Sequence, residues 1–532
     1  MENYSVRSIR KLLQDWATAV EGTSYPSPPI YHGPDVEISA IVEHTDYVRP
    51  GVCFVARVRT GTDGHPFIGQ AIDKGASLIL GQYEVKDLEI DLGQVPYLQA
   101  EDTAVAEAWL SAAWYGFPSK QLVMIGVTGT DGKSTTVNLI NQVLKSAGIK
   151  AGMLSTIKAV IGDEEEHLAF HVTTPEAPVI QGYLRRMVDK GLSHCVLEAT
   201  SHGLAQDRVG AIDFDLAVVT NITHEHLDYH GDYEHYLTAK AKLLENLNKA
   251  AVLNKDDISY RRLVNIPVSQ RIEYSLKEQA DVTASDIVYG PNNTRFNLHL
   301  PPSRYRGTVG DSILISANLV GEFNVYNMLA AAAAAHAVGI EGEAIKEGLE
   351  SVTNLIGRMQ SIDQGQPFQV VVDFAHTPNA LQQAVKAARR MASGRIITVF
   401  GSAGKRDVEK RLLMAEVSAI QADLTVLTAE DPRTESLDEI LSMMAEGCRH
   451  RGAVEGETFW RIHDRGRAIY FALGLAEVDD LVLICGKGHE QSMCFGTIEY
   501  PWNDIDATRM ALEAFLSGRP MPDLGLPTFD LH

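Results

Sequence analysis

The 532-residue chain is 45% hydrophobic and carries 47 basic against 69 acidic residues, for a net charge of −22. That length exceeds one ordinary domain and implies three or four separate cores, and the acidic balance argues against a general polyanion binder, hence no nucleic-acid partner. No run approaches the roughly 18 apolar residues of a membrane span, the opening MENYSVRSIRKLLQDW lacks an apolar secretory segment, and the five cysteines are scattered without a CxxC, which predicts a reduced, cytoplasmic protein with no disulfide framework and no membrane insertion.

In chain order, short β-branched runs recur: VCFVARV, SLILG, QLVMIGV, HCVLEA, DLAVVTN, QVVVDF, RIITVFG, LTVLTA and DLVLICG. Stretches of helical length separate most of them, with apolar residues three and four apart. This alternation predicts an α/β protein with parallel sheets. The helix-like TAVAEAWLSAAWYG precedes Pro118 and the strand 122–127, and a later helix precedes SVTNLIGR. Those two places divide the chain into 1–104, 105–354 and 355–532. The alanine run 330–335 falls in a helical pattern, where Ala is the best former, and RPMPDLGLPTFDLH reads as an irregular tail.

The sharpest local signal is GVTGTDGKSTT at 126–136. It follows an apolar strand and opens a helix whose Val137, Ile140, Val143, Leu144 and Ala147 recur at helical spacing. Gly129 and Gly132, flanking Thr130 and Asp131, let the backbone approach phosphate closely, and N–H groups at the helix start favour anions. Lys133 can reach terminal phosphates, Ser134 can ligate magnesium, and Thr135 completes this ATP-binding loop. The match to G-x-x-x-x-G-K-[ST] is incomplete, because Val127 stands at the first glycine position. A glycine-rich turn with a surface lysine is the alternative, and the strand–loop–helix context outweighs it.

The loop is the first of an ordered series. TTPEAP, EATSHGLAQDR, NITHEHLDYHGDYEHYLTAK, GEFNVYN, GRMQ, VDFAHTP, GSAGKRD, EDPR and GKGHE follow in turn. The series resembles the Mur ligases and their folylpolyglutamate synthetase relatives, and the combination of HLDYHG, AHTP, D-x-P-R and GKGHE resembles the MurE branch of that family. The resemblance implies three domains: a smaller N-terminal UDP-binding α/β domain, a central P-loop-type ATPase with a parallel sheet, and a C-terminal Rossmann-like domain for the amino acid. It implies a monomeric ligase in peptidoglycan precursor synthesis that uses ATP and Mg2+ and forms an acyl phosphate. The reaction would add a free diamino acid to UDP-MurNAc-L-Ala-D-Glu.

The resemblance also assigns residues. Lys133, Glu198, His226 and Lys240 form the implied catalytic set. Glu198 ends one apolar strand and His226 follows another, where ligands commonly meet α/β sheets. With Ser134 and Lys240 they are implied to hold magnesium, a cation that prefers oxygen. An ammonium cannot ligate a metal, so Lys240 would serve as its carbamate; on the residues alone it reads as a helix-surface lysine. The histidines at 224, 226, 230 and 235 suggest zinc at first sight, but no closed ligand set at tight spacing is evident. Asn324 and Asn327 are implied to bind adenine, with N-capping as the alternative. Arg358 is implied at the γ-phosphate and Asp373 at the ribose, with His376 nearby.

For the UDP-linked substrate the implied residues are Thr45, Thr173, Thr174, Thr200, Gln206 and Arg208, although His44-Thr45-Asp46 stands where the family has D-S-R. Arg208 and Arg358 also read as plain ion-pair partners. Arg406, Glu430, Asp431, Arg433, Gly486 and Glu490 fall at the positions for the amino acid. EDPR is mixed. Asp431 attracts an ammonium, as in lysine ligases, whereas Arg433 offers a fork for a distal carboxylate, as in diaminopimelate ligases. The expectation leans to meso-diaminopimelate over L-lysine or L-ornithine. The competing readings are another Mur or folylpolyglutamate-type ligase, and a non-catalytic pseudo-ligase that binds partners. Asp131 (for Asn), the altered His44-Thr45-Asp46 segment and Gln360 (for Glu) are the departures that keep the last reading open.

Overall fold

The computed structural model describes residues 6–59, 61–167, 174–223, 225–290, 292–302, 312–353 and 355–529; Thr173 and His224 lie outside them. Every β-branched run quoted above contains a strand: Val52–Val55, Leu78–Gly81, Val123–Thr128, His194–Glu198, Leu216–Val219, Gln369–Asp373, Ile396–Phe400, Leu424–Leu427 and Leu481–Cys485. They fall into three main sheets. A four-stranded parallel sheet runs through Ala40–Val42, Val52–Val55, Leu78–Gly81 and Tyr97–Gln99.

The central sheet has 11 strands, and it is parallel only in its middle, from Ala151–Leu154 across to Val282–Tyr289. Antiparallel strands extend both edges: Lys158–Ile161 and Glu164–His167 on one side, Thr294–His299 and Ser312–Ala317 on the other. The expectation of a parallel sheet is corrected at those edges. Such strands alternate inward and outward residues, as in TRFNLH, and lack the continuous apolar run of a strand buried on both faces. The third sheet has 6 strands and is parallel except for Gln360–Ser361 at its edge.

Helix Glu322–Ala337 lies against the central sheet with Ala330 to Ala335 wholly buried. Short side chains let it share one core with Val137, Ile140, Val143 and Leu144 of helix Lys133–Ser146. Helix Thr103–Trp114 is capped by Asp102, whose carboxylate accepts from the N–H groups of Ala104 and Val105. Its Trp109 stacks on Trp16 of helix Ile9–Val20, and the same core takes in Ala177 and Ala211 of the middle of the chain. The C-terminal tail is irregular, as expected, yet packed: Met521 and Leu526 are buried, and the Thr528 hydroxyl donates to Asp464. Among the described residues no helix is long and apolar enough to cross a membrane.

The register sets the site. Glu198 pairs with Val127, and Val219 with Thr128, so three neighbouring strands end together and release Glu198, the loop after Thr128, and Thr220-Asn221 side by side. In the third sheet Asp373 pairs with Cys485, which places Gly486 next to Asp373.

Candidate active site

A cleft of about 910 Å3 lies between these two sets of strand ends. It gathers Thr130 to Thr135, Glu198, Thr200, His226, Asn327, Arg358, Asp373 and His376 with Arg406, Glu430, Asp431, Arg433, Gly486 and Glu490. Residues of the phosphate loop, of the implied metal set and of the EDPR and GKGHE motifs thus face one space.

The loop is tied down from below. The Thr130 N–H donates to the Asn221 carbonyl at 2.8 Å, the Asp131 N–H to the Asn221 side chain at 3.0 Å, and the Thr220 hydroxyl to the Asp131 carbonyl at 2.6 Å. Gly132 sits at φ +82°, and a Cβ there would run into Asn327 Oδ1. Lys133 folds back onto the Thr130 carbonyl at 2.7 Å. The result is a bare backbone cradle opening a 14-residue helix, the geometry that takes a phosphate chain.

Glu198 is buried and accepts from the Ser134 hydroxyl at 2.9 Å and the Thr156 N–H at 2.9 Å. A hydroxyl and a carboxylate side by side suit a hard divalent cation. Lys240, in helix Tyr233–Ala241, is 2% exposed and not on the surface; its Nζ donates to the Gly129 carbonyl at 2.7 Å. The helix-surface alternative for Lys240 is therefore corrected. Burial, reinforced by Lys133, holds its amine well below the usual lysine range. His226 has a left-handed backbone and packs edge-on against His202, with ring centroids 4.8 Å apart. Burial lowers its pKa, opposed by Glu225. Burial alone would raise Glu225, but His226 and His376 outweigh it and pull the carboxylate well below its usual range.

Asn324 and Asn327 are both buried, and neither caps the helix, whose N-cap is Gly321. The Asn324 amide donates to the Val320 carbonyl, and the Asn327 amide to Asn324 Oδ1. Arg358 lies over the Phe374 ring at 4.5 Å and reaches the Ser134 hydroxyl at 3.5 Å; burial lowers its pKa. Asp373 accepts from the Met359 and Ala375 N–H groups, and burial raises it. His376 reaches Glu225 at 3.1 Å.

Thr174, Thr200, Gln206 and Arg208 form one network behind Glu198. The Thr174 hydroxyl donates to the Glu198 carbonyl and lies 3.0 Å from the Thr200 hydroxyl. Arg208 donates to the Thr174 carbonyl at 2.6 Å and to Gln206 Oε1 at 2.7 Å. Thr45 stands apart from the cleft in the short turn Thr45–Tyr47, where its carbonyl accepts from Lys74.

The Mur ligase middle domain model matches residues 127–335, and the Mur ligase glutamate ligase domain model matches residues 357–488. A UDP-N-acetylmuramyl-tripeptide synthetase from Roseiflexus sp. (strain RS-1) is 40% identical over 499 residues, covering 90% of this chain and 96% of its own. The chain belongs to the Mur ligase family. A UDP-N-acetylmuramoyl-L-alanyl-D-glutamate–2,6-diaminopimelate ligase from Geobacillus thermodenitrificans (strain NG80-2) is 38% identical over 492 residues, covering 91% of this chain and 96% of its own. A solved structure of a ligase of that same name superposes with a TM-score of 0.58 at 30% identity, covering 90% of this chain and 95% of its own. This Mur ligase is of the MurE type, an ATP-dependent amide ligase.

Two of the departures from the family pattern, Asp131 and Gln360, have partners in this Mur ligase. Asp131 accepts from the Asn379 amide at 2.8 Å, across the cleft, and burial together with Glu225 raises its pKa. Gln360 accepts from the Gly357 N–H at 3.0 Å. Five residues that sequence reasoning left without a role also build the site: Asn221, Glu225, Tyr236, Asn379 and Lys487. All five lie within or beside quoted motifs, so position in a motif was the available signal.

At the end of the cleft lined by Glu430, Asp431, Arg433 and Lys487 the side chains pair with one another and with backbone. Lys487 is 2% exposed and donates to Asp431 at 2.9 Å, and it also contacts Glu490. Burial alone would lower the Lys487 pKa, but Glu490 and Asp431 hold it above its usual range. Asp431 further accepts from the Cys494 N–H. The Arg433 guanidinium donates to the Gly404 carbonyl at 3.0 Å through one nitrogen. Glu430 is buried and raised by that burial.

Proposed function

We propose that this Mur ligase joins meso-diaminopimelate to the D-Glu γ-carboxyl of UDP-MurNAc-L-Ala-D-Glu through an acyl phosphate. The observation that carries the amino-acid choice is the Lys487–Asp431 pair. A carboxylate beside a buried ammonium, even one shared with Glu490, repels a second carboxylate less and attracts a new ammonium less than a bare carboxylate does. Arg433, which lines the cleft with part of its fork uncommitted to Gly404, then becomes the dominant charge for a distal carboxylate.

The three sheets support a division into an N-terminal substrate unit (1–104), a central ATP unit (105–354) and a C-terminal amino-acid unit (355–532). ATP lies along the backbone cradle 129–135, with Lys133 and Arg358 drawing off charge from the γ-phosphate. The γ-carboxylate attacks the γ-phosphorus, the bond to ADP breaks, and an acyl phosphate forms. The free amine of the diamino acid then attacks the acyl carbon; the amide forms, the amine loses a proton, and phosphate leaves with the former carboxylate oxygen. Positioning and charge stabilisation carry the catalysis.

Ser134, Glu198 and His226 would hold Mg2+, whose chemistry is neutralisation of the transferring phosphoryl group. Lys240 joins this set as a carbamate, formed when its neutral amine attacks carbon dioxide and gives up a proton. Burial favours that neutral amine, because desolvation penalises the ammonium. Closure of the C-terminal unit excludes water, with Asn379–Asp131 and His376–Glu225 as contacts across the cleft.

The test is ligation with meso-diaminopimelate, L-lysine and L-ornithine offered in parallel, with products identified by mass. The diaminopimelate product is expected to dominate. Preferential lysine addition would overturn the amino-acid assignment, and ATP turnover indifferent to the muramoyl dipeptide would overturn the reaction.

A further inference from the structure

The phosphate cradle carries a carboxylate of its own. Asp131 stands between Gly129 and Gly132 and lines the cleft. A phosphate chain seated on 129–135 would therefore lie against an acidic side chain, the opposite of what backbone N–H groups at a helix start offer. The other carboxylates at this end of the cleft are matched. Glu225 has His376 at 3.1 Å, Glu198 accepts from the Ser134 hydroxyl and the Thr156 N–H, and Asp373 accepts from the Met359 and Ala375 N–H groups. Asp257 accepts from the N–H groups of Ile222 and Ser259. Asp131 is held through Oδ2 alone, by the uncharged Asn379 amide at 2.8 Å; among the described residues Oδ1 carries no hydrogen bond. The neighbouring Lys133 is committed to the Thr130 carbonyl at 2.7 Å.

The groups that face Asp131 are of both signs. Glu225, Asp257 and Asp373 repel a charge on it, as would an ionised Tyr236; Lys133, Lys240, Arg358 and His376 favour one. Burial, followed by Glu225, tips the balance and holds the carboxyl above its ordinary pKa. A bound triphosphate adds further negative charge beside it, which favours the neutral acid again. A protonated carboxyl removes the conflict. Oδ2 keeps accepting from Asn379 while Oδ1 gains an O–H, so the side chain presents one acceptor and one donor, as the Asn of the family pattern would at this position.

We propose that Asp131 takes up one proton from solvent when ATP binds, and that the neutral carboxyl then donates to the phosphate chain while Asn379 stays latched across the cleft. The proposal rests on the nucleotide reading of the cradle and adds to it a proton that enters with the nucleotide. It gives nucleotide affinity a pH dependence of fixed sign. Between the pKa of Asp131 in the free protein and its higher value in the complex, affinity falls by up to about tenfold for each unit rise in pH. Below that window the carboxyl is protonated before binding, and above it the carboxylate is charged in both states, so affinity is level on either side.

The experiment is calorimetry of the β,γ-imido analogue of ATP with Mg2+ on the whole protein, from about pH 6 to about pH 9, for wild type, Asp131→Asn and Asn379→Ala. Each titration is repeated in buffers of different ionisation enthalpy, and the slope of heat against that enthalpy counts the protons exchanged. The analogue's own phosphate titrates alike in every case, so the difference between wild type and Asp131→Asn belongs to this carboxyl. Wild type should take up about half to one proton more than Asp131→Asn within the window. It should bind at least about tenfold more weakly than that variant at the alkaline end and within about threefold of it at the acid end. Asn379→Ala removes the donor that favours the carboxylate, so its uptake should begin at higher pH. Equal proton uptake by wild type and Asp131→Asn across the range would overturn the proposal alone, as would uptake that begins at lower pH in Asn379→Ala. Failure of wild type to bind the analogue at all would overturn it together with the nucleotide reading of the cradle.

Discussion

Arg433→Ala isolates the residue on which the proposed diaminopimelate selection turns. The backbone at 433 is left-handed and is held by hydrogen bonds with the Cys494 and Gly496 backbones, none of which needs the side chain. Truncation removes one bond to the Gly404 carbonyl, worth about 1 kcal/mol, small beside a typical stability of about 5–15 kcal/mol. The variant should fold. For the ligand the loss is larger: charge-assisted bonds to a carboxylate are worth about 1.5–3 kcal/mol, or about 10- to 150-fold in kcat/KM. Initial rates with meso-diaminopimelate and with L-lysine, on wild type and variant, give the comparison directly. The expected result is a loss of that size for meso-diaminopimelate and a change under about threefold for L-lysine. Equal losses for both, or no loss for either, would mean that Arg433 does not face the distal carboxylate.

Three further substitutions probe the cradle and its floor. Gly132→Ala places a Cβ at φ +82° against Asn327, costing about 1–3 kcal/mol; a lowered melting temperature and an ATP KM raised at least about tenfold are expected. Lys240→Met should keep its fold, exchanging one hydrogen bond to Gly129 for relief of a desolvated amine, while turnover falls at least about a hundredfold, read by coupled ADP assay. In protein freed of bicarbonate, where Lys240 is the unmodified amine, the same substitution has a pH signature. The depressed Lys240 pKa means the unfolded chain binds more protons than the folded one in the window up to the unfolded value near 10.4. Wild-type stability therefore rises with pH through that window and the Met variant lacks this rise, as urea titrations at several pH values would record. Glu198→Gln retains an acceptor for Ser134 and Thr156 but loses the anionic oxygen; the Mg2+ concentration for half-maximal rate should rise at least about tenfold.

Much of this architecture was legible in the chain. Strands buried on both faces announce themselves as apolar runs, and the loop 129–135 between a strand and a helix announces a phosphate cradle. The edge strands such as Thr294–His299 were not legible, because a half-solvated strand mixes polar residues with apolar ones. Lys240 shows the same limit: helical spacing says where it lies on its own helix, not that the helix turns it under the Gly129 carbonyl. The polarity of Asp431 was misleading for a related reason. Its neutralising partner, Lys487, lies 56 residues away, and no local pattern connects them. Glu225 is the clearest omission. It stands between His224 and His226 in a motif whose histidines drew attention, yet its burial and its contact with His376 exist only once the two larger sheets face each other.

In the proposed reaction the γ-carboxylate of the dipeptide attacks ATP and passes one oxygen to phosphate. UDP-MurNAc-L-Ala-D-Glu labelled with 18O in that carboxylate, turned over with ATP and meso-diaminopimelate, tests it directly by mass spectrometry of the released phosphate. One 18O per phosphate is the predicted result. Unlabelled phosphate would contradict the acyl phosphate and the reaction built on it.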